Sequence, residues 1–210
     1  MLTIRSSQMA LFGQLQLADF ELATLDHIAR FFPHDLALLG RDGLIAVMRD
    51  AAQRALALGV TTRGELRRFI DITLILGAEW LADPLHPFVG KVAREGLEPA
   101  PAFQRLHDEA IDHVRLVSGA EGQYAIRALL KVRRMSFAQM AGDAADGAAD
   151  GADGALERLG AVWPRKLRRL PASAATRFLR LAEERAQDAG FDAPGPRHLW
   201  TTFMFVLGVG

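Results

Sequence analysis

The chain has 210 residues, half of them apolar, enough to bury one substantial core or two small ones. Acidic and basic residues balance at 25 each, and division after Arg105 leaves 11 basic against 12 acidic residues, then 14 against 13, which argues against a general nucleic-acid or anionic-membrane role. Cysteine is absent from the sequence, which excludes disulfides, a thiolate nucleophile and a cysteine-based zinc site.

The opening Met1-Leu2-Thr3-Ile4 shows no basic segment followed by an apolar run, so no secretory signal is expected. The longest apolar stretch, Phe69 to Ala82, is interrupted by Asp71 and Glu79 and falls short of the ~20 residues of a spanning helix. Arginine outnumbers lysine 22 to 3, a composition that suggests a GC-rich bacterial genome. A soluble, cytoplasmic bacterial protein is the expectation.

Leu15, Leu22, Leu25, Ala29 and Phe32 recur at steps of three, four and seven, which predicts a helix over about 14–32, ended by Pro33. After a short turn at Leu36 to Leu39, Asp42 is placed to cap a second helix through Leu44, Val47, Met48, Ala51, Ala55 and Leu58, stopped by Gly59. Thr62 with Glu65 reads as a capping box for a third helix, which runs to Gly77. Asp83-Pro84-Leu85-His86-Pro87 reads as a rigid elbow before a short helix reaching about Glu95. Phe103, Leu106, Ala110, Ile111, Val114 and Val117 mark an amphipathic helix that stops near Gly119, and a further helix is expected from about 120 to 140. Residues 141–154 are almost wholly Ala, Gly and Asp and read as a flexible surface linker. Beyond it a short helix to Trp163-Pro164, a helix over about 173–189 stopped by Gly190, and a last helix from Pro196 complete the chain. That last helix, with Trp200, Phe203 and Phe205, is apolar nearly all round, so it is expected either to be buried on several sides or to cover a partner.

The stretch Leu25 to Gly77 returns 131 residues later as Leu156 to Gly208. Phe32-Pro33 falls on Trp163-Pro164, Ala51 on Ala182, Arg54-Ala55 on Arg185-Ala186, and Gly59, Gly64 and Gly77 on Gly190, Gly195 and Gly208. About a dozen identities over about fifty positions, weighted to residues that set backbone geometry, point to a tandem duplication of one helical unit. Leu130-Lys131-Val132-Arg133 also echoes Leu2-Thr3-Ile4-Arg5. The expected fold is all-α, two pseudo-repeated helical units packed into one bundle-like domain. Its parts are a first unit over 1–97, connecting helices over 98–140, the linker over 141–154 and a second unit over 155–210.

The densest polar cluster is His107-Asp108-Glu109 with Asp112-His113, in which Glu109, Asp112 and His113 share a helix face at ligand spacing. His107 and His113 lie well apart around that helix, so a solvated polar face is the plainer reading and no metal or other cofactor is expected. Asp143, Asp146, Asp150 and Asp153 match neither calcium-loop order nor a nine-residue repeat. The basic run Arg165, Lys166, Arg168 and Arg169, followed by Arg177 and Arg180, fits a docking patch for an acidic partner better than a phosphate track, because the chain is neutral and stacking aromatics are few.

Ile4-Arg5 with Gln8-Met9, then Phe32-Pro33, Gly59-Val60-Thr61, Phe69-Ile70-Asp71, Leu76-Gly77 and Asp83-Pro84-Leu85-His86-Pro87, resemble a poorly characterised group of bacterial helical proteins associated with type VI secretion and polymorphic-toxin loci. The likeness covers about residues 1–90 and rests on dispersed positions. It implies a helper or immunity partner of a secreted effector and transfers no catalytic residue. The function expected is therefore non-enzymatic binding of another protein, as adaptor, chaperone or immunity protein, through Arg165, Lys166, Arg168, Arg169, Trp200, Phe203 and Phe205. The alternatives are a metal-dependent hydrolase using the His107 to His113 cluster, a nucleic-acid binder using the 165–169 run, and a self-assembling homo-oligomer.

Overall fold

The computed structural model describes residues 6–136 and 151–208, with side chains from residue 18 onward. The described residues form ten helices and no strand: α1 Ser6–Phe31, α2 Pro33–Ala57, α3 Arg63–Leu76, α4 Pro87–Arg94, α5 Pro99–Ser118, α6 Gln123–Arg134, α7 Ala152–Val162, α8 Pro164–Leu167, α9 Ala172–Asp188 and α10 Pro194–Leu207. None of these helices is long and apolar enough to cross a membrane.

Punctuation is local. Helices α2, α4, α5, α8 and α10 each open with proline in the first turn, where the missing N–H has no intrahelical role to lose. At the start of α3 the Thr62 hydroxyl accepts the Glu65 N–H at 3.2 Å while the Glu65 carboxylate accepts the Thr62 N–H at 3.1 Å, which is the capping box expected. Those backbone bonds hold the Glu65 carboxyl below its ordinary range. Helix α2 starts at Pro33, nine residues earlier than Asp42 suggested; the break falls instead at Gly40, whose φ of 67° and ψ of 175° interrupt the helix.

Several backbone features recur at the 131-residue offset. Phe32 and Trp163 leave the helical region at φ/ψ of −129°/51° and −136°/76°, each just before a proline that starts the next helix. After α2 and α9 the chain reverses through Gly59 (φ 80°) and Gly190 (φ 77°), a left-handed step that a side chain would resist. In both turns the residue after the glycine donates back to a helix carbonyl, Val60 to Ala55 at 3.1 Å and Phe191 to Ala186 at 2.9 Å. Gly77 and Gly208 end α3 and α10 at φ/ψ of 95°/167° and 102°/173°.

Two hydrophobic cores result. The first gathers Ile28 of α1, Leu44, Met48, Ala51 and Ala55 of α2, Phe69, Ile70 and Ile72 of α3, Trp80, and Phe103, Leu106 and Ala110 of α5. Phe69 is its aromatic centre, 5.2 Å from the Trp80 ring and 5.9 Å from the Phe103 ring. The second gathers Leu159 and Val162 of α7, Trp163, Phe178 and Ala182 of α9, Met204, Phe205 and Val206 of α10, Ala128 of α6, Val117 of α5, and Leu85 from the elbow. Helix α5 therefore serves both cores, and its last carbonyls find donors on residues 163–165: Trp163 Nε1 donates to Val117 O at 3.2 Å and Arg165 Nε to Leu116 O at 2.7 Å.

Some boundaries differ from expectation. Helix α6 ends at Arg134 rather than near 140, and the rest of that stretch, 137–140, lies outside the described residues. Most of the predicted 141–154 linker, with Asp143, Asp146 and Asp150, and the 2–5 echo also lie outside them. Residues 152–154 belong to α7, whose first turn carries Asp153, an acid favoured by the positive end of the helix dipole. In α10 Met204, Phe205 and Val206 are buried while Phe203 and Leu207 are exposed, so this helix is both core and surface.

Thr62→Ala removes one half of the capping box and is expected to lower stability by about 1 kcal/mol in urea unfolding, with an unchanged denaturant slope. An unchanged midpoint would show that α3 does not depend on that cap.

Candidate functional site

The Asp-Pro elbow forms because the Asp83 carboxylate accepts the Leu85 N–H at 2.7 Å, the Asp83 carbonyl accepts the His86 N–H at 3.1 Å, and Pro87 opens α4. This geometry turns His86 inward. Its ring meets the His113 ring of α5 edge-on at 5.3 Å and lies 6.0 Å from Phe88, while Asp83 Oδ2 stands 3.4 Å from His86 Nε2. Neither ring nitrogen of His86 has a partner in hydrogen-bonding geometry. Burial, with the His113 and Lys166 charges adding and the Leu76 backbone opposing, pushes His86 down to about 3. Burial together with the Lys166 and Arg169 charges pushes His113 down to about 4. Both imidazoles are neutral near pH 7.

Lys166 of α8 closes this group. Its ammonium donates to the Phe205 carbonyl and lies over the Trp163 and Phe205 rings at 4.9 and 5.2 Å. Burial pushes its pKa down to about 8, against the opposing attraction of Asp83. Asp83, His86 and Lys166, all buried, and the partly buried His113 thus form one polar group where elbow, α5 and α8 meet.

On the outer side of the elbow a cleft of about 500 Å³ separates it from α9. Its walls carry Arg94 of α4 and Arg177, Arg180 and Glu184 of α9, with Asp83 and His86 deeper in the lining and Leu81, Pro84, Pro87 and Leu181 as apolar surface.

A second polar group lies between α1, α3 and α5. His27 Nε2 sits 3.0 and 3.2 Å from the two oxygens of Asp71, and His107 Nε2 is 3.9 Å from Oδ2. Burial raises the Asp71 pKa, with His27, His107 and Arg67 opposing. Arg67 Nε is buried without a hydrogen-bond partner.

The residues singled out in the sequence are dispersed by this arrangement. His107 faces Asp71, Glu109 is taken by Arg105 at 2.8 Å and Lys91 at 3.6 Å, Asp112 is exposed, and His113 faces His86. The four do not converge, and among the described residues no group of three His, Asp or Glu side chains is placed to hold a metal ion. Of the basic run, Arg168 and Arg169 are exposed, whereas Arg165 is spent on the Leu116 carbonyl and stacks 4.4 Å from the Tyr124 ring centroid. Lys166 and Phe205 are corrected from surface to interior, because the ammonium is enclosed by aromatic faces and Phe205 is fully buried. Trp200 is half-buried against Phe191 at 5.2 Å, and Phe203 remains exposed. The His27–Asp71–His107 group and the elbow cleft escaped sequence reading, since their members come from helices far apart in the chain.

No family model, no curated protein and no solved structure matches the chain.

The two depressed histidines give a signed pH dependence. Their folded pKa values lie below the unfolded 6.5, so the unfolded chain takes up protons first and stability falls as pH drops below about 6.5. Each imidazole is expected to remove about 2 kcal/mol by pH 5, and His113→Phe should flatten the pH profile of the urea midpoint between pH 7 and 5. An unchanged profile in that variant would contradict the burial of His113.

Proposed function

We propose that the chain is a non-enzymatic protein-binding protein, an adaptor, chaperone or immunity partner of a bacterial secreted effector or toxin, built from two units of common descent. The recurring Phe/Trp-Pro corners and glycine reversals at one constant offset support common descent. The likeness of residues 1–90 to proteins associated with type VI secretion and toxin loci supports the class of partner.

The observation that carries the binding reading is a set of large apolar side chains left outside both cores. On α6, Ile126, Leu129 and Leu130 are all exposed and, at steps of three and one, share a helix face. At the α1–α2 corner Phe31, Leu38 and Leu39 are exposed, Leu38 at 83%. Leucine and phenylalanine scattered singly on a surface need no explanation, but grouped on one face they suit an amphipathic partner helix. Arg133 and Arg134 follow that face on α6, and Arg168 and Arg169 are exposed elsewhere on the second unit; all four would favour an acidic partner.

Co-expression with the products of neighbouring genes, followed by affinity capture, tests the proposal. Capture of a neighbouring product is expected, and Ile126→Glu with Leu130→Glu should weaken it at least tenfold while leaving the melting temperature within a few degrees, because both sites are exposed. Equal capture by the double variant would remove α6 as the docking face. An immunity protein should in addition protect cells that express the toxin, which an adaptor would not.

A further inference from the structure

We propose that the cleft between the elbow and α9 is a binding site for a small organic dianion, one carrying a phosphate or a pair of carboxylates. The proposal stands on the cleft alone and is independent of the partner-protein reading.

The cleft's volume of about 500 Å³ lies within the usual size range of small-ligand sites. Arg94 on one wall and Arg177 on the other form no ion pair with a carboxylate among the described residues, and the lining carries three arginines against Asp83 and Glu184. Arg180 adds a third, held only loosely by Glu184 at 3.7 Å with both side chains exposed. A guanidinium presents paired N–H donors that match an oxyanion, and two or more around one cavity favour a doubly charged group over a single carboxylate.

Deeper in, His86 is more than nine-tenths buried and lines the cavity, with Asp83 Oδ2 3.4 Å from its Nε2. Lys166, behind His86, and Asp83, which lines the cleft and accepts the Leu85 N–H, offset each other at the floor, so the arginines set the sign of the cleft. The remaining acid, Glu184, stands at the rim. Leu81, Pro84 and Leu181 supply apolar surface for the organic part of the ligand.

Titration of the full chain with inorganic phosphate and, separately, with succinate, followed by amide chemical shifts at constant ionic strength with chloride as the control anion, tests the site. Saturable shifts confined to residues 81–94 and 171–184 are expected for at least one of the two, and the tighter-binding probe assigns the head group. Arg94→Gln with Arg177→Gln should weaken that binding at least tenfold with an unchanged melting temperature, since both side chains are exposed. Arg168→Gln with Arg169→Gln, the same loss of charge outside the cleft lining, should leave it unchanged. Absence of saturable shifts with either anion, wild-type affinity in the Arg94/Arg177 variant, or equal weakening in the Arg168/Arg169 variant would each overturn the proposal.

Discussion

A lysine ammonium buried between two aromatic rings is the constraint on which the assembly of this molecule turns. Removing such a charge from water costs several kcal/mol, and the protein recovers that only if carbonyls, ring faces and a counter-charge are all in place. For Lys166 they arrive from different parts of the chain: the carbonyl and one ring from Phe205 on α10, the other ring from Trp163, and the compensating carboxylate from Asp83 in the elbow. A residual penalty persists, because the pKa stays depressed at about 8. The group is therefore better understood as a device for specificity of packing than as a source of stability. An elbow misplaced against α8 would leave the lysine without its counter-charge.

Helix α5 makes the same junction in apolar terms. Its first turns enter one core through Phe103, Leu106 and Ala110, and Val117 enters the other. Carbonyls at its last turn would otherwise lack partners, and Trp163 and Arg165 supply donors. The elbow adds Leu85 to the second core while Phe88, two residues beyond His86, belongs to the first. Neither core is complete without residues contributed across the 98–118 region, which fits the small size of each core.

How much of this was legible in the sequence depends on range. The stops at Gly59, Gly77, Gly119 and Gly190 and the Thr62–Glu65 box were readable because each is encoded within a few neighbouring residues, whereas Pro33 and Pro164, read as helix ends, also open the next helix, and the last helix starts at Pro194 rather than Pro196. The fate of single charged residues was not. Lys166 sits in a four-residue helix, Pro164–Leu167, too short to show a periodic buried face, and the surrounding arginines concealed its burial. His113 likewise falls on the apolar stripe Phe103, Leu106, Ala110, Val117 at steps of three and four, which marks it as an inward residue rather than a member of a solvated metal face. No such periodicity could have joined His27 to Asp71, 44 positions apart, or Arg94 to Arg177 across the cleft, because those encounters depend on how helices pack and not on spacing within one.

The central claim is that the polar junction and α5 bind two cores into one cooperative unit. Fluorine NMR of the chain labelled with 5-fluorotryptophan tests it, because Trp80 reports on the first core and Trp163 on the second. In a urea titration the native resonances of both are expected to vanish at the same midpoint. Loss of one at clearly lower urea, with the other still native, would show that the cores unfold separately and that the junction does not couple them.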